Sequence, residues 1–375
     1  MEVKELLHMK GGDGEHSYAQ NQATFTQKVA SRTEHILENA IQSLLSKDSS
    51  TAIVGKVLNI ADLGCASGPA PLNFISTIVE VVDRTCGELI VELPEIQVFL
   101  NDLQSNDFNS IFRDLSTSRW QQVGDGGAVA TAVFVMATSG SFHGRLFPCN
   151  TLHLVHSGYS AHWLSQVPPG LCTKEGVPIN RGAVYISEAS PPAVVKAYMA
   201  QFEHDFNLFL KCRSDEIVPD GCMFLTLRGR PSVDPLAWEP WELKLFARAF
   251  SQLVSQGLIK EERVDSFNFP YFGASEIEIK AIVEKEGSFL IEHVETMAQH
   301  VADEIGDKRE RAEKLASIIR SYTEPLVSHH FGEQILEPFY SQLAHVVFEF
   351  LAKEAPEHFT IAILLKRKTN SLMTK

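Results

Sequence analysis

The stretch Val57-Leu58-Asn59-Ile60-Ala61-Asp62-Leu63-Gly64-Cys65-Ala66-Ser67-Gly68 constrains the chain more than any other. A short apolar run ends in an acid and then in a G-x-x-x-G turn, and a helical pattern follows from about Leu72 to Cys86. This predicts a buried strand, a tight turn that lets backbone approach a ligand, and a crossover helix. The alternation recurs. Ile96 to Leu100, Val129 to Met136, Leu152 to His156 and Gly221 to Leu227 read as further strands. Helical patterns occupy residues 16–47, Asp107 to Leu115 and Pro191 to Arg213. Short branched runs alternating with helices specify a sheet that is mostly parallel and covered on both faces. From Trp238 to about Phe350 the period is helical, and Phe359 to Leu365 reads as a late strand. The expected fold class is α/β, a Rossmann-like mostly parallel sheet with a helical cap inserted before the last strand.

Charge narrows the partners. With 33 Lys+Arg against 47 Asp+Glu the net charge is −14, which argues against nucleic acid and anionic membranes, since both require a basic face. No apolar run approaches the roughly 20 residues that span a bilayer, and Met1 to Glu5 lacks the layout of a signal peptide, so a cytoplasmic chain is expected. The six cysteines have no C-x-x-C spacing. His153 and His156 fall on opposite faces of a strand and cannot readily share a metal.

The glycine turn lacks the phosphate-binding patterns G-x-G-x-x-G and G-x-x-x-x-G-K-[ST]. An acidic strand end before G-x-x-x-G suits S-adenosylmethionine instead, whose cationic sulfonium and amino group favour carboxylates. Asp102, at the end of the next strand, is placed to accept hydrogen bonds from ribose hydroxyls. Two further loops fall at the same edge of the sheet. Gly140 to Pro148 carries Ser141 and Phe142, the latter able to stack near adenine. His156 to Leu164 carries Tyr159, His162 and Trp163, an aromatic lining suited to a small planar ligand. No nucleophile and base pair accompanies His162.

These elements, in this order, resemble the plant SABATH methyltransferases, which methylate small carboxylic acids and, in one branch, xanthine alkaloids. The resemblance runs from Leu7-His8-Met9-Lys10-Gly11-Gly12 and Ser17-Tyr18-Ala19-Gln20-Asn21 through Phe99 to Leu103, Trp163 to Pro168 and Phe331-Gly332 to Ile361–Lys366. It implies that Tyr18, Asp62, Cys65, Asp102, Leu103, Ser141 and Phe142 hold S-adenosylmethionine. It further implies that Gln27, Tyr159, His162, Trp163 and Trp241 line the substrate. A magnesium site known in some members would use Asn180, Asp265, Phe267 and Asn268, with Phe267 acting through its carbonyl. Residues 1–230 with 355–375 would form the S-adenosylmethionine domain, and 231–354 the helical cap. Two departures stand out. Ala70 replaces the usual asparagine after the glycine turn, and His162 replaces the methionine of salicylate-preferring members.

The expected reaction is methyl esterification of a small, benzoate- or salicylate-like acid by in-line transfer. Such an acid is ionised at neutral pH and needs no general base. The alternative is N-methylation of a xanthine, as in caffeine-synthase-like members, and a silent acid-binding protein is a third reading that S-adenosylmethionine binding would test. Whether the chain forms a homodimer stays open at this level.

Overall fold

The structure, a computed structural model, describes residues 7–46, 56–115, 131–300 and 307–369. The amino-terminal pentapeptide, the first two residues of the expected Val129 strand and residues 370–375 lie outside that set. A seven-stranded sheet in the order β3-β2-β1-β4-β5-β7-β6 forms the centre. Its strands are β1 (Val57–Leu63), β2 (Glu95–Asp102), β3 (Val133–Ser139), β4 (Leu152–Gly158), β5 (Ile217–Gly229), β6 (Phe289–His300) and β7 (Glu357–Arg367). The first five pair in parallel, whereas β7 runs antiparallel to both β5 and β6. The strand order reverses between β1 and β4, so their carboxyl ends open the crevice in which such sheets bind ligands.

Local sequence explains most of the helices. Ser17 caps α1 (Tyr18–Leu45) by accepting from the Gln20 amide, and proline starts α2 (Pro69–Leu89), where a missing N–H costs nothing. α3 (Phe108–Leu115) and α4 (Pro192–Glu216) complete the crossovers on the parallel half. Beyond β5 come α5 (Trp241–Ser255), the short α6 (Glu261–Asp265), α7 (Glu276–Glu286), α8 (Lys308–Phe331) and α9 (Leu336–Leu351). α5, α8 and α9 pack through Phe246, Phe250, Phe331 and Phe339, all buried.

The stretch 231–354 is not helical throughout, in contrast to the periodicity read from sequence. Phe289–His300 is the edge strand β6 and extends the sheet beyond β7. Its residues, Phe-Leu-Ile-Glu-His-Val-Glu-Thr-Met-Ala-Gln-His, bury few side chains, since at the margin of the sheet neither face is fully covered. Without a clean apolar alternation, period alone could not separate it from the helices around it. Among the described residues no helix is long and apolar enough to cross a membrane.

Candidate functional site

The turn after β1 is locked by close approach. Gly64 has φ +70°, and a Cβ there would lie 2.3 Å from Ser160 Oγ; Gly68 has φ +86°, and a Cβ would lie 2.4 Å from that of Ala19. Glycine is required at both points. The turn thereby touches the loop after β4 and the start of α1 at once. Ser160 Oγ donates to the Gly64 carbonyl at 2.9 Å.

Asp102 sits at the end of β2 with both oxygens engaged: Oδ2 accepts from the Ala66 amide and Oδ1 from the Leu103 amide, each at 2.7 Å. Burial pushes its pKa up to about 6, against the pull of these two amides. Asp62 has a different partner, His156 Nδ1 at 2.7 Å, and His156 stacks on Phe74 of α2. His153, on the other face of β4, accepts the Asn59 amide through Nδ1, so the two histidines do not meet. The Cys65 thiol is held well above its ordinary pKa by burial, beside the charges of Asp102 and Asp62, and is no nucleophile.

The sequence places the loop bearing Ser141 and Phe142 at the ligand edge of the sheet but does not show what holds it there. Tertiary structure moulds it from beneath. Arg213 and Glu216, fully buried on α4, pair at 2.7 Å. Arg213 donates to the carbonyls of Phe142 and Gly144, and Glu216 accepts from the amides of Leu146 and Phe147. Asn101 Nδ2 donates to the carbonyls of Thr138 and Gly140, tying the ends of β2 and β3 together.

Three connected hollows result. Tyr18, Asp102, Leu103, Ser141 and Phe142 line one narrow cleft with Gly64 and Ala66. Asp62 and Cys65 line the adjoining one, of about 310 Å³, together with Ala70 and Asn73. Asn73 lies one helical turn after Ala70, so an asparagine faces this cleft although the usual position lacks one. The third is a cavity of about 1020 Å³ under the cap, lined by Gln27, Tyr159, His162, Trp163 and Trp241. Tyr18 and Tyr159 border all three, which marks their junction. Tyr159 has φ +55°, a left-handed conformation that a tyrosine adopts only when its surroundings enforce it. It stacks edge-on with Phe25, and its hydroxyl bonds Thr360.

The cavity also exposes residues that sequence reasoning missed. Arg228, near the carboxyl end of β5, pairs with Glu242 of α5, and His358 of β7 lies 4.0 Å from Glu242 Oε2. All are buried. Arg228 Nε, Glu242 Oε2, both nitrogens of His358, Tyr271 OH and Trp241 Nε1 make no hydrogen bond. Burial holds the Glu242 carboxyl above its ordinary pKa, opposing the pull of Arg228, and holds the His358 imidazole well below. The signal for Arg228 was present, since a charge directly after Phe224-Leu225-Thr226-Leu227, still within a buried strand, is out of place unless it serves something. Nothing local marks His358.

His162 is buried with its pKa lowered to about 3, chiefly by desolvation and secondarily by Arg228. Its Nδ1 accepts the Arg228 amide at 3.1 Å, so the neutral ring carries its proton on Nε2, the nitrogen left to donate to a ligand. Burial therefore keeps the ring neutral near neutral pH. Profiles of kcat/KM against pH from 6 to 9 are expected to have the same shape in the wild type and His162→Met; a wild-type inflection near pH 6.5 that the variant lacks would contradict this.

The magnesium set inferred from resemblance is partly assembled. The Gly182 amide donates to Asp265 Oδ1 at 2.9 Å, bringing the 180–182 loop onto α6. Asn180 Oδ1, however, already accepts from Ser190 Oγ at 2.7 Å. Phe267 and Asn268 are buried, and Asn268 Oδ1 makes no hydrogen bond. The Asp265 carboxylate, the Phe267 carbonyl and Asn268 Oδ1 are oxygen donors of the kind a hard cation takes, whereas Asn180 Oδ1 is already engaged, and no chemical step is assigned to a metal.

Comparison with known proteins agrees with this geometry. The chain is 47% identical to probable caffeine synthase 4 of Camellia sinensis over 98% of its own length and 99% of that protein's. It is 47% identical to a 3,7-dimethylxanthine N-methyltransferase of Camellia sinensis var. assamica, over 97% of each chain. A loganic acid methyltransferase solved with S-adenosylhomocysteine superposes with a TM-score of 0.84 at 31% identity, covering 97% of this chain and 100% of that one. The profile of a family described as SAM dependent carboxyl methyltransferase matches residues 4–368. The chain is an S-adenosylmethionine-dependent methyltransferase and belongs to that family.

Proposed function

We propose that the acceptor is a ring nitrogen of a xanthine, and that the ester-forming reading, favoured by sequence alone, is the lesser one. The observation that carries this is the far wall of the cavity. A carboxylate substrate requires donors, yet the Arg228 charge is already matched by Glu242, whose free oxygen would repel a second anion at short range. A neutral ring whose edge alternates carbonyls and N–H groups suits this wall better. On this reading the His162 Nε2–H donates to a carbonyl, and the Arg228–Glu242 pair, which also lines the cavity, offers a donor and an acceptor to the rest of the ring edge. Leaving such groups unpaired costs about 1–3 kcal/mol each, so the wall discriminates by what the ligand satisfies. The names of the curated relatives support the same reading. The family's description and the loganic acid enzyme keep the ester reading in play.

S-adenosylmethionine supplies a methyl group already activated by the sulfonium, so the protein has to align rather than to activate. On this reading Asp102 takes the ribose hydroxyls, Leu103, Ser141 and Phe142 enclose the adenine, and Asp62 and Cys65 border the amino acid end. Tyr18 and Tyr159 hold the point where the clefts meet the cavity, and Trp163 and Trp241 contribute aromatic walls to it. Gln27 sits on the exposed side of α1 at the cavity mouth. The aromatic walls shield the acceptor nitrogen from water.

A panel of methylxanthines, benzoate and salicylate, incubated with labelled S-adenosylmethionine and scored by product mass, tests the assignment. At least one xanthine should exceed both acids in kcat/KM by about tenfold or more, the range one set of pocket contacts provides. If benzoate or salicylate is the best substrate, the ester reading stands and this one falls.

A further inference from the structure

Away from the cavity, α1 and the edge strand β6 bring together His35, His293 and Glu295. One ligand atom from each lies within 4.8 Å of the others. His293 and Glu295, two residues apart, share one face of β6, and His35 meets them from the helix, its ring 5.9 Å from that of His293 at an interplanar angle of 88°. His293 Nε2 is 3.5 Å from Glu295 Oε2. That nitrogen is shut off from water yet makes no hydrogen bond, an unsatisfied donor atom at the centre of the cluster.

We propose that these three side chains form a zinc site that staples α1 to β6. Two imidazoles and a carboxylate are a zinc donor set, with bonds of about 2.0–2.2 Å and a fourth position left for water. The observed spacing is slightly wider than such bonds allow. Small side-chain rotations close it, and the exposed His35 and half-buried Glu295 are free to make them. With both imidazoles neutral the set carries one negative charge, in a chain of net −14, so the local field favours a cation. Magnesium, which prefers all-oxygen ligands, fits this set badly.

The position gives the site a consequence. Gln27, Ser31 and Arg32 of α1 and Ala298, Gln299 and His300 of β6 line the substrate cavity. In the metal-free arrangement Arg32 Nη1 donating to the Ala298 carbonyl already joins these two walls. Zinc would add a second tie one helical turn further along α1.

The test is calorimetric titration of ZnCl2 into tag-free protein, using a Cys149→Ser/Cys172→Ser background to remove the two exposed thiols. One equivalent should bind saturably, and His35→Ala and His293→Ala should each weaken it roughly tenfold or more, since loss of even an outer partner of a metal ligand costs that much. Co2+ should give the d–d bands of a tetrahedral site, bleached by Zn2+ and absent in both variants. His35 is exposed, so its replacement leaves the fold intact. The proposal is overturned if zinc shows no saturable binding up to about millimolar concentration, or if either histidine variant binds it within tenfold of the parent.

Discussion

Asp102→Ala is expected to weaken S-adenosylmethionine binding by roughly ten- to a hundredfold, and to cost more activity than any other single change in the cofactor clefts. The carboxylate is a charged acceptor, and hydrogen bonds to charged groups are worth about 1.5–3 kcal/mol each. The change also releases the Ala66 and Leu103 amides that Asp102 holds at 2.7 Å, so the turn loses its brace along with the ligand's partner. Protonation should mimic the mutation. Burial raises the Asp102 pKa to about 6, so the acceptor is intact above that pH and is lost as pH falls through it. Calorimetric affinity in the wild type should be flat from pH 7 to 8.5 and fall below about pH 6, a dependence absent in Asp102→Asn. Unchanged affinity in Asp102→Ala would remove this residue from the site.

The second large effect concerns the buried pair under the cap. Arg228→Ala leaves the Glu242 carboxylate charged and unpartnered in the interior, and breaking such a pair typically costs about 3–5 kcal/mol. Denaturant titration should show a loss of that size. Replacing both partners together, Arg228→Met with Glu242→Met, should restore most of the stability, because apolar pairs of similar volume commonly match a buried ion pair. Activity should not return with it. On the xanthine reading the double variant has lost both the donor and the acceptor that meet the ring edge, and kcat/KM for the best xanthine should stay at least about a hundredfold down, two contacts at 1–3 kcal/mol each. A double variant that is stable and retains xanthine turnover within tenfold would show that the pair is scaffolding, not recognition.

The division between what was legible and what was not has a clear physical basis. Local signals announce the parallel half: the apolar runs of β1, β2, β4 and β5 have no solvent-facing side, so their composition alone identifies them. The G-x-x-x-G turn was legible because Gly64 and Gly68 answer a steric demand that no other residue meets. Asp102 was legible from its place at a strand end, and it does border the cleft of Ser141 and Phe142. Sequence also carried the family and its cofactor. It did not carry β6, whose half-solvated edge leaves a weak pattern. Nor did it carry His358 and Glu242, which converge with Arg228 from three separate elements, because burial and partnership depend on contacts across 116 residues and more of chain between Glu242 and His358. His162 shows the limit most plainly. Its presence in the loop was readable, but its loss of basicity was decided by tertiary structure, which removes water from the ring, sets Arg228 beside it and fixes its proton on Nε2.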